Sequence, residues 1–209
     1  MSDPHTPARD DADAKAWFYL DHRDDIETWA ALRSDARQLL DKHLVGVADE
    51  MAELADQFGV ELDTGDLESG SKPRAGPRRQ SWHYNGIADV SVVVQWERAR
   101  LLTPGSNEWP WVAVSVPAAA ADDGRGKQII EGMKPVRSLL KGQSSAAYPL
   151  WRYVRPPAGA AVNPGAFVDD VLTSFRELWD AAAPILDAIH GDPAGLRLGP
   201  ATVPPGVNL

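Results

Sequence analysis

Asp89 and Glu97 bracket a run, DVSVVVQWERAR (residues 89–100), that ends in tryptophan, glutamate and arginines. Two carboxylates backed by a base could hydrolyse phosphoesters. The acids would hold a divalent metal, and a lysine two positions after the second acid would polarise the attacked phosphate, as in a D…(D/E)xK pattern. Here that position is Ala99. Val90, Val92, Val94 and Trp96 alternate with Ser91, Val93, Gln95 and Glu97, which marks a half-buried strand. Extended backbone would set Asp89 and Glu97 about 26 Å apart at 3.3 Å per residue, too far to share one ion. The run therefore reads as a sheet strand, with Trp96 inward and Glu97, Arg98 and Arg100 solvated at its end.

Other near-motifs fail on equally specific grounds. GDLESGSK (residues 65–72) imitates a phosphate-binding loop, but Gly70 is followed by Ser71, Lys72 and Pro73 rather than by Lys and Ser/Thr. No strand is expected before it and no helix after it. His22-Arg23-Asp24 has the letters of a kinase catalytic loop without the glycine-rich loop, paired lysine or metal-binding aspartate that the chemistry needs. His5, His43, His83 and His190 stand far apart, without metal-ligand spacing. There is no Gly-x-Ser-x-Gly elbow. The absence of cysteine removes disulfides, thiolate metal sites and a cysteine nucleophile. No catalytic, metal-ligating or cofactor-binding residue is expected. His83, between Trp82 and Tyr84 and close to arginines, is the best isolated candidate for metal-independent chemistry.

Binding is better represented than catalysis. Lys72, Arg74, Arg78 and Arg79 precede Trp82, His83 and Tyr84, a mixture of bases and rings that can grip single-stranded nucleic acid. The net charge of −9 opposes that reading, since phosphate contacts need a cationic face. Charge is unevenly spread: residues 1–69 hold 18 acids and 6 bases, whereas residues 70–100 hold 6 bases and 2 acids. Either the two regions complement each other within the fold, or the acidic part faces a cationic partner. Among eight tryptophans, Trp29, Trp96 and Trp179 fall on expected apolar faces and are assigned to the core. Trp109 and Trp111 flank a loop and a strand start, where tryptophan often anchors a partner, or else pack on a sheet edge.

These residues need elements to carry them. Ile26, Trp29, Leu32, Ala36, Leu40, Leu44, Val47, Met51, Leu54 and Phe58 follow one another at steps of three or four, one helical stripe over residues 26–58. Asp24 or Asp25 can cap its start and Gly59 its end; Gly46 weakens the middle, so one helix or a helical hairpin both fit. Asp35, Asp41, Asp49, Glu50, Glu53 and Asp56 make an acidic outer face. Residues 63–80 form a loop by composition. Strands follow at 90–96, 111–116 and 148–155, with a helix at 125–140. Asn163 and Pro164 open a last helix that closes at Gly191. Residues 1–20 are expected to be a disordered lead-in, 21–191 a single domain and 192–209 an extended tail. The order gives an α+β domain: an antiparallel sheet of three to five strands covered by helices.

The segment YPLWRYVRPPAGAAVNPGAFVDDVLTSFRELWDAAAPILDAI carries a further pattern. Trp151, Phe175, Trp179, Pro184 and Ile185 stand where an uncharacterised bacterial α/β domain has its strand tryptophan and terminal-helix aromatics. Residues 148–190 thus resemble a module often fused to D…(D/E)xK nuclease-like domains. The resemblance implies a non-catalytic part of a restriction, defence or toxin–antitoxin system, and no catalytic residue carries over. Composition rich in Ala, Gly, Pro, Arg and Asp agrees with a bacterial source, and no apolar run reaches the roughly 20 residues of a membrane span. The expectation is a cytoplasmic accessory protein that binds another protein. Its contacts would come from Glu50, Glu53 and Asp56 for steering, and from Arg78, Arg79, Trp82, His83, Trp109 and Trp111 for specific contact.

Overall fold

A computed structural model describes residues 7–65, 67, 69–84, 87–88, 90–105, 107–117 and 124–191. The tail expected over 192–209 and the first strand acid, Asp89, lie outside these. The α+β class holds. Helix α1 (Pro7–Asp21) is followed by the long helix α2 (Arg23–Phe58). Five strands build the main sheet: β1 (Glu61–Gly65), β2 (Arg74–Arg78), β5 (Ser91–Gln95), β6 (Trp111–Ser115) and β7 (Leu150–Tyr153). They lie side by side in the order β1-β2-β5-β6-β7, every neighbour antiparallel. A short 3-10 turn (Gln80–Trp82) leads into the two-residue pair β3 (His83–Tyr84) and β4 (Ile87–Ala88). Helix α3 (Gly124–Leu139) precedes β7, and α4 (Pro164–His190) follows it.

The stripe over residues 26–58 forms one helix, despite Gly46. At 1.5 Å per residue it is about 54 Å long. It ends where expected, at Gly59, whose left-handed φ of 61° lets its N–H return to the Ala55 and Asp56 carbonyls. The start differs from expectation. Residues 7–20, expected to be disordered, belong to a helix that runs to Asp21, and His22 (φ −119°, ψ 20°) is a joint rather than a break. The His22 amide still donates to Phe18 O (3.1 Å), and the Ile26 amide to His22 O (3.0 Å). Asp24 and Asp25 sit in the first turn of α2 and do not cap it. In α4, Asn163 Oδ1 accepts from the amides of Gly165 and Ala166, with Pro164 next to it, as the sequence implies.

One face of the sheet takes both long helices. Leu40, Leu44, Val47, Met51 and Leu54 of α2, with Phe175, Leu178, Trp179, Ala182 and Leu186 of α4, cover Val92, Val94, Val112, Val114 and Leu150. Each large side chain so buried contributes about 1.5–3 kcal/mol. Gly132 of α3 brings that helix against α4; a Cβ there would stand 3.0 Å from Ile185 and Ile189. Pro135 leaves α3 intact because it is exposed, where water can serve the carbonyl its ring leaves unpaired.

One core assignment is overturned. Trp96 and Trp179 are buried, but Trp29 is 70% exposed. Among the described residues the body of the fold meets α2 only from about Arg37 onward, and Trp29 and Leu32 in the first half of the stripe stay exposed.

Candidate functional site

The basic middle of the chain is spent inside the fold. Arg79 Nε lies 3.0 Å from Oδ1 of buried Asp187, and the indole N–H of Trp82 donates to the same oxygen at 2.9 Å. Trp82 is itself 0% exposed and tilts against Trp179, so it offers no face to a nucleobase. Arg78 reaches Glu61 (3.2 Å), Arg74 reaches Asp63 (3.4 Å), and Arg98 reaches Asp41 (3.0 Å). The charge asymmetry along the chain is thus largely intramolecular: the bases of residues 70–100 meet acids of the first third and of α4.

His83 joins the same arrangement. Its Nδ1 stands 2.8 Å from Gln80 O, a spacing that calls for a proton on that nitrogen. Nε2 then faces Glu61 at 3.7 Å, beside Arg78. The ring holds the turn before β3, and its neighbours are ion-paired.

Glu50, Glu53 and Asp56 are all exposed on α2, as an acidic steering face requires. Asp41, counted with them in the sequence, is structural: its carboxylate accepts from Trp96 Nε1 (2.7 Å) and from Arg98. Asp49 lines a shallow groove with Leu62, Thr64 and Leu67.

Trp109 and Trp111 part company. Trp109 tilts against Phe167 at 5.5 Å and packs on the core. Trp111 lies on the opposite face of the sheet, the one without the long helices, in a second cluster with Val93, Ala113, Tyr148, Trp151 and Tyr153. Period two explains the grouping. Trp111 pairs with Tyr153 and Ala113 with Trp151, so all four point the same way. There a cleft of ≈ 200 Å³ opens between Trp111, Tyr148 and Trp151, with Lys72, Asn107, Ser144 and Ser145 completing its wall. Of this set the sequence singled out Trp111 as a contact residue, Lys72 as part of the basic loop and Trp151 in the resemblance, but did not bring them together. Period two puts residues 151 and 153 on one face of β7, but only the register aligns them with Trp111, and Tyr148, Asn107 and Lys72 come from loops.

The second unforeseen surface is the helical arm. Trp17, Phe18, Leu20, Trp29, Leu32 and Leu39 are exposed on α1 and the first half of α2. Tyr19 Oη donates to Glu27 at 2.5 Å across the His22 joint, and Phe18 packs on the His22 ring at 4.4 Å. The bond to Glu27 holds the Tyr19 hydroxyl above the ordinary phenol range. At the other end, Arg37 Nε donates to Leu101 O (3.1 Å) and fixes the arm's root to the loop after β5.

Among the described residues no cluster of three or more His, Asp or Glu side chains could hold a metal ion, and no helix is long and apolar enough to cross a membrane. A scan against family models finds no match, and neither curated proteins nor solved structures give a significant one.

Proposed function

We propose that this chain is a non-catalytic bacterial accessory protein that works by binding another protein, and that the arm of residues 12–39 is its principal contact. The observation that carries this is Trp29, 70% exposed in the middle of a regular apolar stripe. Scattered surface apolar groups need no explanation, but an aromatic-rich row along one helix face is a common form of partner surface. Phe18, Ile26, Trp29, Leu32 and Ala36 follow helical spacing, so the fitting partner element is an amphipathic helix laid along the arm. Asp25 and Arg33 stand within that row on opposite sides of Trp29, which gives such a helix a preferred orientation. Glu50, Glu53 and Asp56 extend the negative field further along α2 and favour approach by a cationic partner.

The resemblance of residues 148–190 to modules that travel with nuclease-like domains suggests where to look for that partner: a restriction, defence or toxin–antitoxin protein encoded nearby. A pull-down from the native host, with the parent chain and a Trp29→Asp variant as baits, tests the reading. A partner captured in stoichiometric amount by the parent and lost by the variant is expected. Reversal of Glu50, Glu53 and Asp56 should slow association without abolishing it. Capture unchanged by Trp29→Asp would remove the arm from the mechanism.

A further inference from the structure

The aromatic cleft on the open face of the sheet is independent of the arm. Its walls are held rigidly. Tyr148 Oη donates to Gln95 Oε1 (2.8 Å), and the amide of that buried glutamine donates to Lys72 O (3.4 Å). Tyr153 Oη donates to Asn107 Oδ1 (2.5 Å) and accepts from the Asn107 amide N–H (3.1 Å), while Asn107 Nδ2 donates to Glu97 (2.7 Å). Asn107 makes that double contact from the left-handed region, φ 64°. Trp111 and Trp151 stand edge-on to Tyr153, at interplanar angles of 88° and 86°. A lining ring already fixed by a hydrogen bond, as Tyr148 is, loses little on binding.

Lys72 puts a cation on the cleft wall although the chain as a whole is acidic. Lys72 lines the cleft and is half exposed, 3.8 Å from Glu97, which Asn107 already engages. Arg137 reaches the cleft wall by donating to Ser144 Oγ (2.5 Å), and the Arg155 guanidinium lies 4.8 Å from the Tyr153 ring centre. One cation on the cleft wall and a second bonded to that wall thus stand in a protein of net charge −9. A volume of ≈ 200 Å³ exceeds the roughly 150 Å³ of an apolar cavity that takes benzene, so a one- or two-ring system fits.

We propose that the cleft between Trp111, Tyr148 and Trp151 binds a small planar ring bearing an anionic group, the ring against the aromatics and the charge beside Lys72. An aromatic carboxylate and a nucleoside monophosphate both have this chemistry. Calorimetric titration of the full chain at low salt with indole-3-acetate, indole, AMP and adenosine separates them. At least one anionic probe should bind about tenfold or more tighter than its neutral counterpart, and the probe that does so identifies the source. Lys72→Ala should erase that preference while leaving weak ring binding. Ser145→Trp, which fills the cleft from its exposed rim, should abolish binding with the thermal transition unchanged; if that variant unfolds, Lys72→Ala carries the test. No binding of either anion at millimolar concentration, equal affinity for charged and neutral rings, or unchanged binding by a folded Ser145→Trp would each overturn the proposal.

Discussion

Two halves of one helix carry the same apolar period and meet opposite fates. From Leu40 to Leu54, α2 lays Leu40, Leu44, Val47 and Met51 against the sheet, each at most 2% exposed. From residue 23 to 39 the stripe continues, yet Trp29 and Leu32 are 70% and 57% exposed. The repeat encodes a helix and says which face is apolar. It does not say what covers that face. The join between the halves is marked by polar contacts: Asp41 takes Trp96 and Arg98, and Arg37 takes Leu101. Beyond it the chain has left its own core.

Substitutions that break this contrast should range widely in effect. In the covered half, Leu44→Ala or Met51→Ala should cost about 2–5 kcal/mol in urea denaturation, because both side chains are wholly buried and leave cavities. At the border, Asp41→Ala should cost about 1–3 kcal/mol by stranding the buried Trp96 N–H and removing the carboxylate from Arg98. Gly46→Ala sharpens the comparison from the other side. A Cβ there meets nothing within 4 Å, so the gain in helix propensity should stabilise the chain by about 0.5–1 kcal/mol. In the open half, Trp29→Ala and Leu32→Ala should move stability by no more than about 0.5 kcal/mol while they disable the partner surface. The smallest effect is spectroscopic. Ultraviolet titration should show Tyr19 ionising above the ordinary range, and Glu27→Ala should lower it, because the hydrogen bond to Glu27 is the main cause of the shift.

The architecture was legible where it rests on periodicity, but not at β1 and β2, since residues 63–80 read as a loop by composition. The three-and-four spacing of α2, the alternation of β5 and β6, and the Asn163–Pro164 start of α4 are local signals with local causes. Sites were less legible because burial depends on distant elements. Trp82 and Arg79 looked like an exposed basic–aromatic grip, but Asp187, 105 residues from Trp82, draws them inward. Trp29 looked like core for the converse reason: its period matched the buried half of the helix, and the sheet proved too short to reach it. The cleft gathers residues 72, 107, 111, 148 and 151, a set that only strand register and loop paths bring together.

Amide hydrogen exchange along α2, measured on the isolated chain and again on its complex with the captured partner, tests the central contrast most directly. Residues 40–58 should be slow in both, whereas residues 23–38 should exchange quickly alone and slow down in the complex. Equal protection of the two halves in the isolated chain, or a first half that stays fast after the partner binds, would contradict the account.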